Sequence, residues 1–366
     1  KQWFFEVWNE PDNPPFFTGS RGEYFRLYEE TARAVKSVCA DYRVGGPALA
    51  MHSDWIGALI EYCRGRKVPL DFVTAHSYST KGAPEPPDAE RERPPKQPPI
   101  PDWTPGPSWP LGKIAFDPKG IEEGVRAALR EVEQSSMPDL GVYFTEWGLT
   151  WDYWDPLRDS YQAASFILSR IRRVCGVRCL SYCEISDVFE EDGPPTGNFH
   201  GGFGLVNLQG IRKPAYFAYR FLNALGDWEL ECSDPDTFAC REGGNVQILF
   251  WDSTVRQDRE DKLYYCKDTP PRPAGKVCVT AGGLVPGTYR LSVYGVGYRR
   301  NDAYTRYLGM EEPAGSLSRG QVRELKNESD GAPLLQKIVS ADKSGSFRIN
   351  MDMRENDVFL ITLDAV

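Results

Sequence analysis

Two glutamates each follow a run of strand-forming residues, and their types and setting suit acid–base and nucleophilic chemistry. Glu10 lies in the segment WNEPD, and Glu146 lies in the segment FTEWG. Retaining glycoside hydrolysis needs one carboxylic acid to protonate the leaving oxygen and one carboxylate to attack the anomeric carbon, about 5 Å apart. We therefore predict Glu10 as the acid/base and Glu146 as the nucleophile, with Asn9 as a hydrogen-bond partner of the sugar 2-hydroxyl.

Either motif alone also has a structural explanation. An isolated N-E-P is typical of a turn or a helix start, and an isolated T-E-W is typical of an ion pair inside a barrel. Their joint occurrence at strand ends, in this order, favours the catalytic interpretation. On a regular strand Asn9 and Glu10 would face opposite sides, so both reach one pocket only if the chain turns there. Pro11 favours such a turn.

Strands and helices alternate through the first 226 residues. Predicted strands cover residues 3–8, 43–47, 72–78, 142–147 and 180–186, and predicted helices begin near residues 20, 53, 118, 160 and 214. This alternation predicts a parallel sheet, and in a parallel α/β barrel the functional groups lie at the carboxyl ends of the strands. The polar residues at the predicted strand ends are Asn9, Glu10, His76, Tyr78, Glu146, Glu184 and Asp187.

The hydrophobic pattern changes after residue 226. Segments 245–251, 287–296 and 357–363 alternate apolar and polar residues and are separated by turn residues. We therefore predict a β-sandwich domain over residues 227–366, after a barrel domain over residues 1–226. Residues 84–110 hold eleven prolines and are predicted to be a long loop. Its Trp103 and Trp109 either line the sugar pocket or belong to a loop that covers the pocket without contacting the sugar.

Composition excludes several classes of protein. The net charge is −9 with acidic and basic residues interspersed, so we expect no nucleic-acid partner. No apolar run approaches the length of a membrane span, so we expect no membrane partner. Nine cysteines without a C-x-x-C pair and three histidines argue against a metal or other cofactor. Free thiols in the cytoplasm are expected, although a Cys232–Cys240 disulfide and a periplasmic or secreted location remain alternatives.

Several longer segments carry a resemblance to a known family. They are FEVWNEPD, VPLDFVTAHSY, YFTEWG, SDVFEEDGPPTGNFHGGFGLVNLQGIRKPAYFAYRFLNALG and NDAYTRYLGM. Together they resemble glycoside hydrolase family 39, which contains β-xylosidases and α-L-iduronidases, and VTAHSY and FTEWG are closer to the xylosidase branch. The resemblance implies a (β/α)8 TIM barrel of which this chain holds about strands 4–8. It places Glu10 at the acid/base after strand four and Glu146 at the nucleophile after strand seven.

The resemblance also implies further substrate-binding residues. His76 and Tyr78 match the H-x-Y that lines the sugar subsite, although a single histidine is equally typical of a satisfied core residue. Of the paired acids Glu190 and Glu191, one is expected to hold sugar hydroxyls while the other braces the loop. His200 is expected to shape that same loop.

Two positions depart from the family pattern. Cys183 replaces an aromatic residue expected beneath the sugar, so stacking there is lost or comes from another residue. Asp152 stands where the family has a tyrosine, and either neighbour, Trp151 or Tyr153, could take its place; we include Tyr153 in the predicted site. Trp147 is predicted to bind substrate, with packing as an equal alternative.

The sequence therefore predicts a retaining exo-β-D-xylosidase that releases xylose from the non-reducing ends of xylo-oligosaccharides. The alternatives are another family activity, on a different pentoside or a uronide, and a non-catalytic glycan-binding fragment. A sheet of five strands would expose two edges. We therefore expect the first barrel half to come from the same native protein or from a separate chain. Family analogy adds homo-oligomer contacts through the sandwich.

Overall fold

The computed structural model describes residues 3–80, 117–151, 155–188, 197–254, 262–310, 316–341 and 343–366. The chain forms two compact units. Of the described residues, the first unit contains 3–80, 117–151 and 173–183, and the second contains 155–172, 184–188, 197–254, 262–310, 316–341 and 343–366. The domain boundary at residue 226 stays a prediction.

The first unit is built on a parallel sheet. Its strands lie in the order of the sequence: β1 (Phe4–Glu6), β2 (Arg43–Leu49), β3 (Phe72–Tyr78), β4 (Gly141–Gly148) and β5 (Cys179–Tyr182). All four neighbouring pairs are parallel. The five-strand half-barrel expected from the sequence is therefore confirmed.

Three helices cover one face of this sheet. They are α1 (Arg21–Val38), α2 (Asp54–Arg66) and α3 (Gly120–Glu133). Alternate strand residues such as Val73 and Val142 join helix residues such as Ile56 in one buried core, as the two-residue period of a strand requires. α1 begins with a capping box, in which the Ser20 and Glu23 side chains each accept the other residue's backbone N–H.

The opposite face of the sheet, which we name the inner face, carries a cluster of aromatic rings. The Phe4 ring lies 5.3 Å from that of Phe72 and 5.8 Å from that of Tyr143, measured between ring centroids. Phe4 is 43% exposed at the edge strand β1. The inner face is therefore open to solvent at the β1 edge, although Phe72 is buried, whereas the helix-covered face is a closed core.

The second unit contains two antiparallel sheets after helices α4 (Gln162–Arg173) and α5 (Pro214–Leu222). Its strands are β6 (Trp228–Glu229), β7 (Thr237–Glu242), β8 (Asn245–Trp251), β9 (Pro273–Ala281), β10 (Gly287–Val296), β11 (Leu335–Ala341), β12 (Phe347–Arg354) and β13 (Val358–Ala365). Helices α6 (Ala303–Leu308) and α7 (Arg319–Glu328) lie between β10 and β11 in the chain.

Six of these strands form one sheet, in the order β11-β10-β13-β8-β7-β6, and β12 pairs with β9 in a second sheet. Side chains from both sheets, among them Ile248, Leu291 and Phe347, share one buried core. This arrangement is the predicted sandwich. The sequence analysis found β8, β10 and β13 but not the other five strands.

All nine cysteines carry free thiols, which favours the free-thiol interpretation over a disulfide between the exposed Cys232 and the buried Cys240. None of the helices in the described part of the chain combines the length and the hydrophobicity that a membrane span requires.

Candidate active site

The segment WNEPD turns sharply where β1 ends. Trp8 and Glu10 have positive φ angles of 69° and 43°, a left-handed conformation that few residues other than glycine adopt. The Glu10 N–H donates to the Ala48 carbonyl at 3.0 Å, and the Asn13 amide donates to Glu10 Oε2 at 2.8 Å. The expected turn is therefore present. It buries Glu10 and leaves Asn9 exposed.

Asp12 fastens this turn to the chain that follows β2. Its buried carboxylate accepts the backbone N–H groups of Ala50, Met51 and His52, at 3.0, 2.7 and 2.7 Å. Sequence analysis did not assign this role to Asp12. The available signal was its position one residue after Pro11, because aspartates in turns often accept backbone N–H groups.

An irregularity in β4 decides which way Glu146 points. Val142 and Phe144 belong to the core beneath the helices, so a regular strand would direct Glu146 to that same face. The pairing with β3 shifts between Ala75 and His76, so that Ala75 faces Phe144 while His76 faces Glu146. Thr145 is therefore an additional residue, a β-bulge, and it turns Glu146 to the inner face.

Four polar side chains meet at the carboxyl ends of these strands. His76 Nδ1 lies 2.8 Å from Glu10 Oε1 and 3.6 Å from Glu146 Oε2. The Tyr78 hydroxyl donates to Glu146 Oε2 at 2.9 Å. The contributing atoms of Glu10, His76 and Glu146 all lie within 4.8 Å of one another. We name these three residues the Glu–His–Glu cluster.

Solvent reaches the members of this cluster unequally. The His76 side chain is 1% exposed and that of Glu10 is 11% exposed, while the Glu146 carboxylate side chain is 32% exposed. Burial alone would lower the His76 pKa, but the hydrogen bond with Glu10 and the negative charges of Glu146 and Glu10 outweigh it and raise that pKa. The two carboxylates therefore favour the protonated form of His76.

The other predicted substrate-binding residues lie elsewhere. Trp147 is fully buried and packs edge-on against Tyr182, with ring centroids 5.6 Å apart. Its ring offers no face to a sugar, so the structure corrects the prediction of substrate binding in favour of the packing alternative. Cys183 is half-buried, and its N–H donates to the Trp147 carbonyl at 3.1 Å.

Several predicted residues fall outside the part of the chain that the structure describes. They are Tyr153, Glu190, Glu191, Trp103, Trp109 and Asp152. Their predicted roles stay predictions. Trp151, the alternative to Tyr153, is described and is 41% exposed.

A second buried charge cluster, in the second unit, involves Asp187 from the end of a predicted strand. Lys213 Nζ lies 2.7 Å from Asp159 Oδ1 and 2.8 Å from Asp187 Oδ1, and the three side chains are at most 1% exposed. The N–H groups of Gly201 and Gly204 donate to Asp159 and Asp187, respectively. We name Asp159, Lys213 and Asp187 the Asp–Lys–Asp cluster. It anchors the segment that follows His200 in the chain, whereas the loop-shaping role of His200 itself stays a prediction.

Comparison with known proteins finds a matching family model and several relatives. A family model described as glycosyl hydrolases family 39 matches residues 1–96 and 119–346. A β-xylosidase of Geobacillus stearothermophilus is 38% identical over 263 residues, which cover 70% of this chain and 48% of the relative. A β-xylosidase of Caldicellulosiruptor saccharolyticus is 37% identical over 245 residues, which cover 64% of this chain and 44% of the relative. The chain thus spans less than half the length of either relative.

Solved structures extend the match to the whole chain. A crystal structure of a monomeric β-xylosidase from Caulobacter crescentus CB15 has a TM-score of 0.87 at 36% identity, over 100% of this chain and 70% of that one. The structure of a GH39 enzyme from Xanthomonas axonopodis pv. citri has a TM-score of 0.87 at 35% identity, over 100% of this chain and 68% of that one. From the family model and these structures together, the chain belongs to glycosyl hydrolases family 39.

Proposed function

We propose that the Glu–His–Glu cluster is the catalytic centre of a retaining exo-β-D-xylosidase, which releases xylose from the non-reducing ends of xylo-oligosaccharides. The observation that carries the mechanism is the separation of the two carboxylates. Their facing oxygens lie within 4.8 Å. Retaining enzymes hold their carboxyl groups about 5–5.5 Å apart, whereas inverting enzymes leave about 6.5–9.5 Å for a water molecule.

Glu146 is suited to be the nucleophile because its carboxylate is the most exposed member of the cluster. The Tyr78 hydroxyl bonds one of its oxygens and so fixes its orientation. Glu146 attacks the anomeric carbon and forms a covalent glycosyl intermediate, while Glu10 gives its proton to the leaving oxygen. Glu10 then takes a proton from water while the water oxygen attacks the anomeric carbon. The bond between the sugar and Glu146 breaks, and the sugar leaves with its original configuration.

The choice of a neutral pentose rests on two observations. Three of the four relatives named above are β-xylosidases. A uronic acid would require a permanent cation near its carboxylate. In the described part of the chain, the side chains bonded to the two glutamates are Asn13, His76 and Tyr78. None of these is a lysine or an arginine.

We further propose that three additional strand-and-helix units complete the barrel in the active protein. The open inner face and the exposed edge strand β1 support this, because an uncovered sheet edge and face in water are unfavourable. These units would belong to the same native protein or to a separate chain. Because of them, activity is to be tested on the complete protein as well as on this chain.

The test is hydrolysis of nitrophenyl β-D-xyloside by the wild-type protein and by Glu146→Ala, with azide then added to the variant. We expect turnover in the wild type, loss in the variant, and recovery with azide as the α-xylosyl azide of inverted configuration. Glu123→Ala, which removes an exposed carboxylate on α3, is the matched control and keeps activity. Nitrophenyl α-L-arabinoside and an aryl iduronide separate the alternative specificities.

Correctly folded complete protein that binds xylo-oligosaccharides without hydrolysing any of these substrates would refute the enzymatic proposal in favour of glycan binding. Azide recovery with retained configuration would refute Glu146 as nucleophile.

A further inference from the structure

The Glu–His–Glu cluster also presents three metal-ligand atoms to one point. Glu10 Oε1, His76 Nδ1 and Glu146 Oε2 all lie within 4.8 Å of one another. We propose that this cluster binds a single Zn²⁺ ion that blocks the site, so that zinc is an inhibitor of the protein rather than a cofactor. The inhibitory effect rests on the proposed function, whereas the binding of the ion does not.

The spacing of the ligand atoms fits a transition-metal ion. Zn²⁺ binds nitrogen and oxygen at about 2.0–2.2 Å, so that two ligand atoms on one tetrahedral ion lie about 3.3 Å apart. His76 Nδ1 lies 2.8 Å from the Glu10 oxygen and 3.6 Å from the Glu146 oxygen. Small side-chain rotations are enough to place an ion among the three atoms. A ligand set of this size leaves a fourth position for water.

Charge and ligand chemistry select the kind of ion. Two carboxylates supply the two negative charges that compensate a divalent cation. An imidazole nitrogen favours zinc, copper and nickel, whereas magnesium and calcium prefer sites made of oxygen alone. The cluster should therefore discriminate strongly between Zn²⁺ and Mg²⁺.

Neighbouring groups already orient the ligands. Asn13 donates to Glu10 Oε2, which leaves Oε1 directed at His76. Tyr78 donates to Glu146 and restricts the rotation of that carboxylate. Such outer contacts typically raise metal affinity, because the ligands need less reorganisation on binding. Glu146 is 32% exposed, so an ion has a path to the cluster from solvent.

A bound ion would stop the reaction at both glutamates. It would occupy the Glu146 lone pair that attacks the anomeric carbon, and it would exclude the proton that Glu10 must deliver. Zinc should therefore compete with the sugar for the free enzyme, and the inhibition should disappear when the ion is removed.

The experiment is a calorimetric titration of the complete protein with zinc chloride, repeated with magnesium chloride. We expect one Zn²⁺ per chain in the wild type and no detectable Mg²⁺ binding. His76→Asn and Glu146→Gln should each weaken Zn²⁺ binding by at least about tenfold, the lower end of what loss of even a supporting contact costs. His52→Asn is the matched control, since His52 is a half-buried histidine outside the cluster, and it should bind Zn²⁺ like the wild type.

Activity supplies the second readout. Zinc should raise the KM for nitrophenyl β-D-xyloside, and a chelator should restore the original value. Unchanged Zn²⁺ binding in folded Glu146→Gln, or equal binding of Mg²⁺, would overturn the inference. If the protein binds Zn²⁺ through His76 and Glu146 but hydrolyses no glycoside, the proposed function fails and the zinc site stands. If the protein is active and zinc does not bind, the zinc site alone fails.

Discussion

Each compact unit buries carboxylates beside a basic side chain, but the two clusters differ in how completely they are closed. The Asp–Lys–Asp cluster is at most 1% exposed, and its lysine contacts both carboxylates. Burial alone would lower the Lys213 pKa, but the two negative charges outweigh it and raise that pKa. In the Glu–His–Glu cluster the basic group is a histidine, and one carboxylate is 32% exposed.

This difference is the one that we expect between a structural cluster and a reactive one. A buried lysine that contacts two carboxylates holds both of them in place, and removing the lysine would leave the two carboxylates buried without their cation. A histidine between two carboxylates can release or accept a proton near neutral pH, and an exposed carboxylate can reach a substrate. We therefore expect substitutions in the Asp–Lys–Asp cluster to change stability and substitutions in the Glu–His–Glu cluster to change activity.

The largest effect is expected for Glu146→Gln. The amide keeps the size and the Tyr78 contact of the side chain but cannot attack the anomeric carbon. Activity of the complete protein on nitrophenyl β-D-xyloside should fall by at least about 10³-fold, as when a member of a catalytic group is removed. The free energy of unfolding should change by less than about 1 kcal/mol. A large loss of stability in urea titration would show that this cluster is structural as well.

Lys213→Met should have the opposite profile. The substitution leaves Asp159 and Asp187 buried without their cation, which typically costs about 3–5 kcal/mol of unfolding free energy. Urea titration measures this loss, and Lys326→Met, at an exposed position on α7, is the control with little effect. A loss of unfolding free energy below about 1 kcal/mol would mean that the buried ion pairs do not stabilise the fold.

Asp302 is another buried carboxylate of the second unit. It accepts hydrogen bonds from the backbone N–H groups of Arg299 and Thr305. Burial raises its pKa from 3.8 to about 6, against the effect of these hydrogen bonds. The folded state therefore binds this proton more tightly than the unfolded state does. Asp302 thus contributes stability at low pH that is lost as the pH rises through about 6.

Relative to Asp302→Asn, the wild type should lose about 2 kcal/mol of unfolding free energy between pH 4 and pH 7. Urea titrations at several pH values measure the difference between the two proteins. A difference that does not vary with pH would contradict the raised pKa.

The smallest effect is expected for Tyr78→Phe. This change removes one hydrogen bond to the Glu146 carboxylate and leaves the ring in place. Values of kcat/KM should fall by about tenfold, which corresponds to about 1.4 kcal/mol, with the unfolding free energy nearly unchanged. An unaltered kcat/KM would show that the Tyr78 hydroxyl does not contribute to catalysis.

Much of the fold could be predicted because its segments satisfy local rules. FVTAHSY and GTYRLSVYGV are apolar or alternating runs between turn residues, and the observed β3 and β10 have the predicted bounds. β6 is two residues long, and β11 is mostly exposed. Short or exposed edge strands lack the hydrophobic pattern on which such predictions depend.

The candidate site could be predicted in its members but not in its geometry. Glu10, His76 and Glu146 were identified because parallel strands bring their carboxyl ends to one edge of a sheet. The alternation of Val142, Phe144 and Glu146 would have placed Glu146 under the helices, and the bulge at Thr145 has no local sequence signal. The Asp–Lys–Asp cluster joins residues far apart in the chain, which no local pattern reveals.

The contacts of Asp12 have a consequence for how this protein tolerates sequence change. Asp12 holds the Glu10 turn through backbone N–H groups of residues 50–52, so these three hydrogen bonds do not depend on which side chains stand there. Met51 is 56% exposed as well. Substitutions at residues 50–52 should therefore preserve these three hydrogen bonds, provided that none of the residues becomes proline, which has no N–H to donate.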